Sequence, residues 1–320
     1  MGRIGRATEA PRVQPSLPEA VATGPVVLDG GMSNQLESAG HDLSDALWSA
    51  RLLADQPDAV TDAHLAYYES GASVAITASY QATYEGFARY GLDSARTSEL
   101  LRLSVQSARE AAARAVSAGV RRPLWVAASA GPYGAMLADG SEYRGRYGLT
   151  VDELERFHRP RLETLAAAGP DALALETVPD TDEAEALVRA VRGLGVPAWL
   201  SFSVAGTRTR AGQPLEKAFA LAAECEEIFA VGVNCCSPQD ADVAVPLAAQ
   251  VTGKPVVVYP NSGETWNAES RTWQGPPTFS SERVLSWVNA GARLVGGCCR
   301  VGPAEITTIG SLVAPPGNAS

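Results

Sequence analysis

The feature that most restricts what this chain can fold into is a repeat of short apolar runs, each followed by a stretch with helical spacing of its apolar residues. Eight runs recur: PVVLDGG (25–31), ASVAITAS (72–79), PLWVAASAGP (123–132), DALALET (171–177), PAWLSFSV (197–204), IFAVGVNCC (228–236), PVVVYPN (255–261) and ARLVGGCC (292–299). Each suits a strand buried on both faces, as in a parallel sheet covered by helices. Amphipathic segments at 58–70, 98–118, 151–168, 182–194, 214–225 and 281–290 fill the intervals. Gly71, Gly119, Gly169 and Gly291 stand just before the next run, where a helix would close in a left-handed cap. Eight such repeats in one compositional regime fit a single (β/α)8 barrel over residues 25–315 better than a doubly wound sheet. Residues 1–24, rich in Pro, Arg, Ala and Glu without periodicity, are expected to be a disordered leader.

Charge narrows the range of partners. Lys and Arg number 26 against 36 Asp and Glu, a net charge of -10, and the lysines are Lys217 and Lys254 alone. That balance disfavours a nucleic-acid backbone or an anionic membrane surface. No apolar run is long enough to span a bilayer, and the segment bearing Arg3 and Arg6 lacks the hydrophobic stretch of a secretory signal. Five cysteines, an odd number in a chain of this length, suit a reducing compartment. The expectation is a cytoplasmic protein, monomeric or a small homo-oligomer, acting on small molecules.

In a barrel, the C-terminal ends of all strands meet at one mouth. Asp29, followed by Gly30 and Gly31, ends the first run; Glu176 ends the fourth; Cys235 ends the sixth; Cys298 and Cys299 end the eighth. Three thiolates with a fourth position open form the donor set of a catalytic zinc, whereas a structural site more often closes with four ligands in Cys-x-x-Cys pairs, absent here. Blander readings compete. Adjacent cysteines can be small core hydrophobes, Asp29 a turn residue and Glu176 half of an ion pair. Cys225, among helical alanines, reads as core packing. His41, His64 and His158 lie away from strand ends and read as structural or solvated. Lys254 precedes its strand and Lys217 lies on a helix, which disfavours Schiff-base chemistry, and no phosphate-cradling glycine motif occurs. Two long connections, 134–147 and 261–279, leave strand C-termini and are candidate lids.

The segments LDGGM (28–32), DLSDALWSA (42–50), TASYQAT (77–83), GPYGAMLADGSEYRG (131–145), LETVPD (175–180), GVNCC (232–236), YPNSGE (259–264) and VGGCCR (295–300) together resemble the homocysteine S-methyltransferase family. The resemblance implies a (β/α)8 barrel with one zinc held by Cys235, Cys298 and Cys299, leaving Cys236 a bystander. It also implies that Asp29 and Glu176 hold the amino group of homocysteine, and that the amides of Gly30 and Gly31 hold its carboxylate. The chemistry suits those residue types. A thiol attacks carbon well only as thiolate, and a zinc site deprotonates it without a protein general base. The donor then needs a methyl on a cationic centre such as a sulfonium. Tyr133, Tyr143, Trp266 or Trp273 could offer that cation an aromatic face. The expected reaction is methyl transfer to homocysteine, giving methionine, with S-methylmethionine ahead of S-adenosylmethionine as donor. Neither the betaine-dependent branch, with its assembly arm, nor the large methionine synthases, with their folate and cobalamin modules, is the expected assignment. Two alternatives stand beside it: a selenol acceptor such as selenocysteine, or a non-catalytic zinc-thiolate sensor, which would have no use for Asp29 and Glu176.

Overall fold

The computed structural model describes residues 14–43, 48–267 and 272–313. Each apolar run contains one strand of the main sheet: β1 (Val26–Val27), β2 (Val74–Ile76), β3 (Trp125–Ala130), β4 (Ala172–Val178), β5 (Ala198–Phe202), β6 (Ile228–Asn234), β7 (Val256–Tyr259) and β8 (Ala292–Val295). Around the sheet they run β1-β8-β7-β6-β5-β4-β3-β2. Neighbours are parallel throughout. A parallel bridge from Leu28 to Val74 joins β1 to β2 and closes the barrel.

Helices Pro57–Glu69, Ser94–Ser117, Val151–Ala167, Thr181–Ala190, Leu215–Ala223, Pro238–Thr252, Ser281–Asn289 and Pro303–Val313 return the chain between strands and after the last. Their starts are fixed by side chains that accept otherwise unpaired first-turn amides: Asp93, Thr150, Asp180, Ser237 and Ser280. The four expected glycine caps all have positive φ, from 75° at Gly169 to 114° at Gly291. Among the described residues, no helix is long and apolar enough to cross a membrane.

Two apolar cores result. The larger lies between the sheet and the helices. The smaller fills the barrel and contains Trp125, Ala127, Ala172, Ala174, Trp199 and Ala230. Leu17 and Val21, 0% and 1% exposed, belong to this inner cluster. They lie on helix Leu17–Thr23, opened by a capping box between Ser16 and Glu19. The expectation of a disordered leader to residue 24 is therefore corrected from Leu17 onward. The barrel interior needs an apolar plug at the end opposite its mouth, and this helix supplies it. Trp125 Nε1 donates to Pro15 O at 3.0 Å and Gln14 Nε2 to Leu124 O at 2.7 Å, tying the approach to the start of β3. Residues 1–13 lie outside the described residues.

Alternate residues of a strand face one side, so the inward series can be followed up each strand. It runs Trp125, Ala127, Ser129 on β3; Ala172, Ala174, Glu176 on β4; Trp199, Ser201 on β5; Ala230, Gly232, Asn234 on β6; and Val257, Tyr259 on β7. The interior thus turns from apolar to polar in its last layer, and that layer is the floor of the mouth.

Candidate metal centre and amino-acid pocket

Three thiols converge above that floor. Cys235 Sγ lies 2.8 Å from Cys298 Sγ and 3.9 Å from Cys299 Sγ. All three sulfurs fall within 4.8 Å of one another. The segment after β7 braces both cysteine-bearing loops. Cys235 N donates to Tyr259 O at 3.2 Å, Cys298 N to Pro260 O at 2.8 Å and Cys299 N to Asn261 Oδ1 at 3.1 Å. From the other side the loop after β1 packs against the cysteine pair. A Cβ on Gly30 would lie 2.2 Å from Val301 O, and one on Gly31 would lie 2.7 Å from Cys298 O, so only glycine permits this approach. Gly31 N already donates to Val301 O at 2.9 Å. Its amide thus docks the cysteine loop.

Three thiols this close cannot all ionise unaided. Hydrogen bonds from Cys235 and Cys298 hold the Cys299 thiol well below its usual range. Donating those bonds, with burial added, pushes Cys298 well up. For Cys235 the hydrogen bond from Cys298 lowers it, but its own bond toward Cys299, burial and the charge of Cys299 outweigh that and raise it. A divalent cation would supply the missing charge. The donor set fits zinc: tetrahedral zinc–thiolate bonds of about 2.3 Å put sulfurs about 3.8 Å apart. The 3.9 Å Cys235–Cys299 separation matches, while the 2.8 Å Cys235–Cys298 contact opens by about 1 Å to reach it.

Beside the thiols lie two buried carboxyls. Asp29, 2% exposed, accepts from Ile76 N at 2.7 Å. Burial pushes it well above the ordinary carboxylate range, the Ile76 amide opposes this, and the charge of Glu176 adds to it. Glu176, 6% exposed, accepts from Ser129 Oγ and, at 2.9 Å, from Tyr259 Oη. Burial raises it to about 7 against the pull of those two hydroxyls. Neither carboxylate has an ion-pair partner among the described residues. Two buried acids facing one mouth without a cation are suited to receive an ammonium group.

Several residues that hold this arrangement were not legible as site residues. Thr177, next to Glu176, has φ 61°. Asn234 holds it there: its Oδ1 accepts from Thr177 N at 2.7 Å and its Nδ2 donates to Thr177 Oγ1 at 2.7 Å. Ser201 and Tyr259 share a hydrogen bond of 2.8 Å, and Trp199 Nε1 donates to Tyr259 Oη at 3.1 Å. The inward parity of the strands was the signal that could have found Ser129, Ser201, Asn234 and Tyr259.

The other candidates sort as follows. Tyr143 reaches the thiols, its hydroxyl 3.4 Å from Cys235 Sγ, with the Arg210 guanidinium 5.9 Å from its ring centre. Tyr133 packs against Tyr147 and Phe157, in the loop rather than at the metal centre. The side chains of Trp266 and Trp273 lie outside the described ones, as do residues 44–47 of the DLSDALWSA segment. Cys236 and Cys225 are buried in the outer core, apart from the trio. Lys254 Nζ donates to Cys225 O and Ile228 O, both at 2.6 Å, at the start of β6 and far from the mouth. His64 is fully buried, and burial lowers it to about 3. His158 is buried with Nε2 2.9 Å from Glu183 Oε1, which also accepts from Tyr133 N at 2.6 Å. That pair fixes the loop after β3 to the helix Val151–Ala167.

The sequence model of the homocysteine S-methyltransferase family matches residues 26–313. Homocysteine S-methyltransferase 4 of Zea mays is 46% identical over 91% of this chain and 90% of its own length. Selenocysteine Se-methyltransferase of Brassica oleracea var. italica is 40% identical over 89% of this chain and 88% of its own. The crystal structure of the metallated form of the Escherichia coli homocysteine methyltransferase MmuM superposes with a TM-score of 0.82 at 41% identity, covering 90% of this chain and 96% of that one.

Proposed function

The chain belongs to the homocysteine S-methyltransferase family, and on that premise we propose that it transfers a methyl group from a sulfonium donor to homocysteine, giving methionine. S-methylmethionine is the proposed donor, ahead of S-adenosylmethionine. The observation that carries the proposal is the meeting, at one mouth, of three thiols with two buried carboxyls that lack a cationic partner. Cys235, Cys298 and Cys299 would hold zinc, whose charge keeps the homocysteine thiol ionised and nucleophilic at neutral pH.

The rest is the work of this chain's own side chains. Asp29 and Glu176 receive the homocysteine ammonium, and that cation in turn favours their ionised forms. Ser129 and Tyr259 keep both oxygens of Glu176 aimed, and Asn234 keeps Thr177 in the conformation that presents it. The amides of Gly30 and Gly31 take the substrate carboxylate, Gly31 exchanging its bond to Val301 O for it. The apolar interior beneath the polar layer keeps water from entering behind the substrate. Thiolate and sulfonium become two neutral thioethers, so charge is lost on the way to the transition state, and a mouth poor in water favours that step.

The same site would accept a selenol, and the similarity to the Brassica selenocysteine enzyme keeps selenocysteine as a second acceptor. One assay addresses both. The zinc-loaded protein is incubated with homocysteine or selenocysteine and, in turn, S-methylmethionine, S-adenosylmethionine, betaine and methyltetrahydrofolate, and the methylated product is quantified. Methionine formed from homocysteine with a sulfonium donor supports the proposal. Absence of product with every donor defeats it.

A further inference from the structure

The loops above β2 and β3 carry polar atoms that the homocysteine pocket does not use. Gln81 donates its side-chain amide to Ala135 O at 3.4 Å, which leaves its Oε1 buried and without a hydrogen-bond partner. Glu142 lies in the short turn Ser141–Tyr143, which packs directly on Gly134; a Cβ there would sit 2.4 Å from Glu142 N. Its Oε2 is likewise buried and unpartnered. Both residues therefore lie beside the helical turn Tyr133–Leu137, Gln81 through its side-chain bond to Ala135 O and Glu142 through its backbone nitrogen against Gly134. Next to Glu142, Tyr143 reaches Cys235, so this rim adjoins the thiols. Burial, with the charge of Cys235, raises the Glu142 carboxyl.

The hydroxyl of Tyr147, also beside Gly134 and without a hydrogen-bond partner, can donate or accept, whereas Gln81 Oε1 and the ionised Glu142 Oε2 only accept, and one of these belongs to an acid. Their complement is a group that only donates hydrogen bonds and carries positive charge, which describes an ammonium. Asp29 and Glu176 lie lower, at the strand ends, and serve the methyl acceptor. Gln81 and Glu142 lie on the loops that follow β2 and β3 at the mouth, the side from which a second substrate must approach the thiol centre.

We propose that Glu142, assisted by Gln81, receives the α-ammonium of an amino-acid sulfonium donor, and so makes the donor's amino group a determinant of specificity. The inference rests on the methyl-transfer reading above.

Its test compares S-methylmethionine with dimethylsulfoniobutanoate, the same sulfonium without the amino group, on zinc-loaded wild type, Glu142→Gln and Gln81→Leu. The wild type prefers S-methylmethionine, and Glu142→Gln shrinks the ratio of kcat/KM between the two donors by about ten- to a hundredfold, as loss of a charge-assisted hydrogen bond implies. Gln81→Leu shrinks it less. Calorimetric titration shows the same loss in S-methylmethionine binding, with zinc content and homocysteine affinity kept. An unchanged ratio in a folded, zinc-loaded Glu142→Gln overturns the inference. If that variant does not fold, Gln81→Leu decides by the same ratio. Transfer from neither donor by the wild type defeats the methyl-transfer reading instead.

Discussion

Replacing Glu176 by Gln should produce two effects of opposite sign. In the substrate-free protein its carboxyl is raised from 4.5 to about 7, chiefly by burial. That shift corresponds to about 3 kcal/mol between protonation states. Because the folded form binds this proton more tightly than the unfolded chain does, the contribution to stability is full while the group is protonated. It falls as pH rises from about 4.5 to about 7 and stays lost above. Gln carries no such cost, although it returns only one acceptor oxygen to Ser129 and Tyr259, a loss of about 1 kcal/mol. At about pH 8 the substrate-free variant should therefore melt at or above the wild type, and at about pH 5 below it. Homocysteine affinity at about pH 8 should fall ten- to a hundredfold, since a charge-assisted hydrogen bond is worth about 1.5–3 kcal/mol. Wild-type affinity should also decline below about pH 7, where Glu176 takes up its proton, and the variant should lack that component. Scanning and titration calorimetry at the two pH values measure both effects. Unchanged homocysteine affinity, or an equal loss of stability at both pH values, would refute the assignment of Glu176 as a buried acid kept for an ammonium.

Other outcomes follow from the same geometry. Cys235→Ala, Cys298→Ala or Cys299→Ala should remove bound metal and activity together, whereas Cys236→Ala and Cys225→Ala should keep most of both, as elemental analysis and the transfer assay will show. Leu17→Ala should cost about 2–5 kcal/mol of stability in denaturant unfolding by opening a cavity in the barrel plug, with zinc retained by the folded protein. Asn234→Ala leaves the buried Thr177 amide unpaired and takes a donor from its hydroxyl. It should destabilise the fold by on the order of 3 kcal/mol and weaken homocysteine binding in titration calorimetry.

The strands and the thiol cluster were legible for one reason: parallel strands buried on both faces read as apolar runs, and closure brings their ends together whatever their separation in sequence. Cys235, Cys298 and Cys299 could be placed at one mouth on that ground alone. What escaped depends on neighbours that only the closed barrel supplies. The resemblance implied a carboxylate for the glycines after Asp29; the approach of Val301 and Cys298 is a separate reason for their lack of side chains, and nothing local announces that contact. Tyr259 and Ser129 looked like ordinary strand residues, since Glu176, the partner of both, comes from another strand. The left-handed backbone of Thr177 and Cys235 has no residue-type signature, because neither is a glycine or an asparagine. The helix Leu17–Thr23 was hidden by a proline- and glutamate-rich composition, although the Ser16-to-Glu19 capping box was present as a local signal.

The central claim is an open zinc–thiolate centre that takes the substrate thiol as its next ligand. X-ray absorption at the zinc edge tests it most directly, on the zinc-loaded protein alone, with homocysteine and with methionine. A shell of three sulfurs should become four with homocysteine, with release of the thiol proton, and should remain at three with methionine, whose thioether brings no charge. Four protein sulfurs around the metal before any substrate is added, or a shell that homocysteine leaves unaltered, would contradict the account.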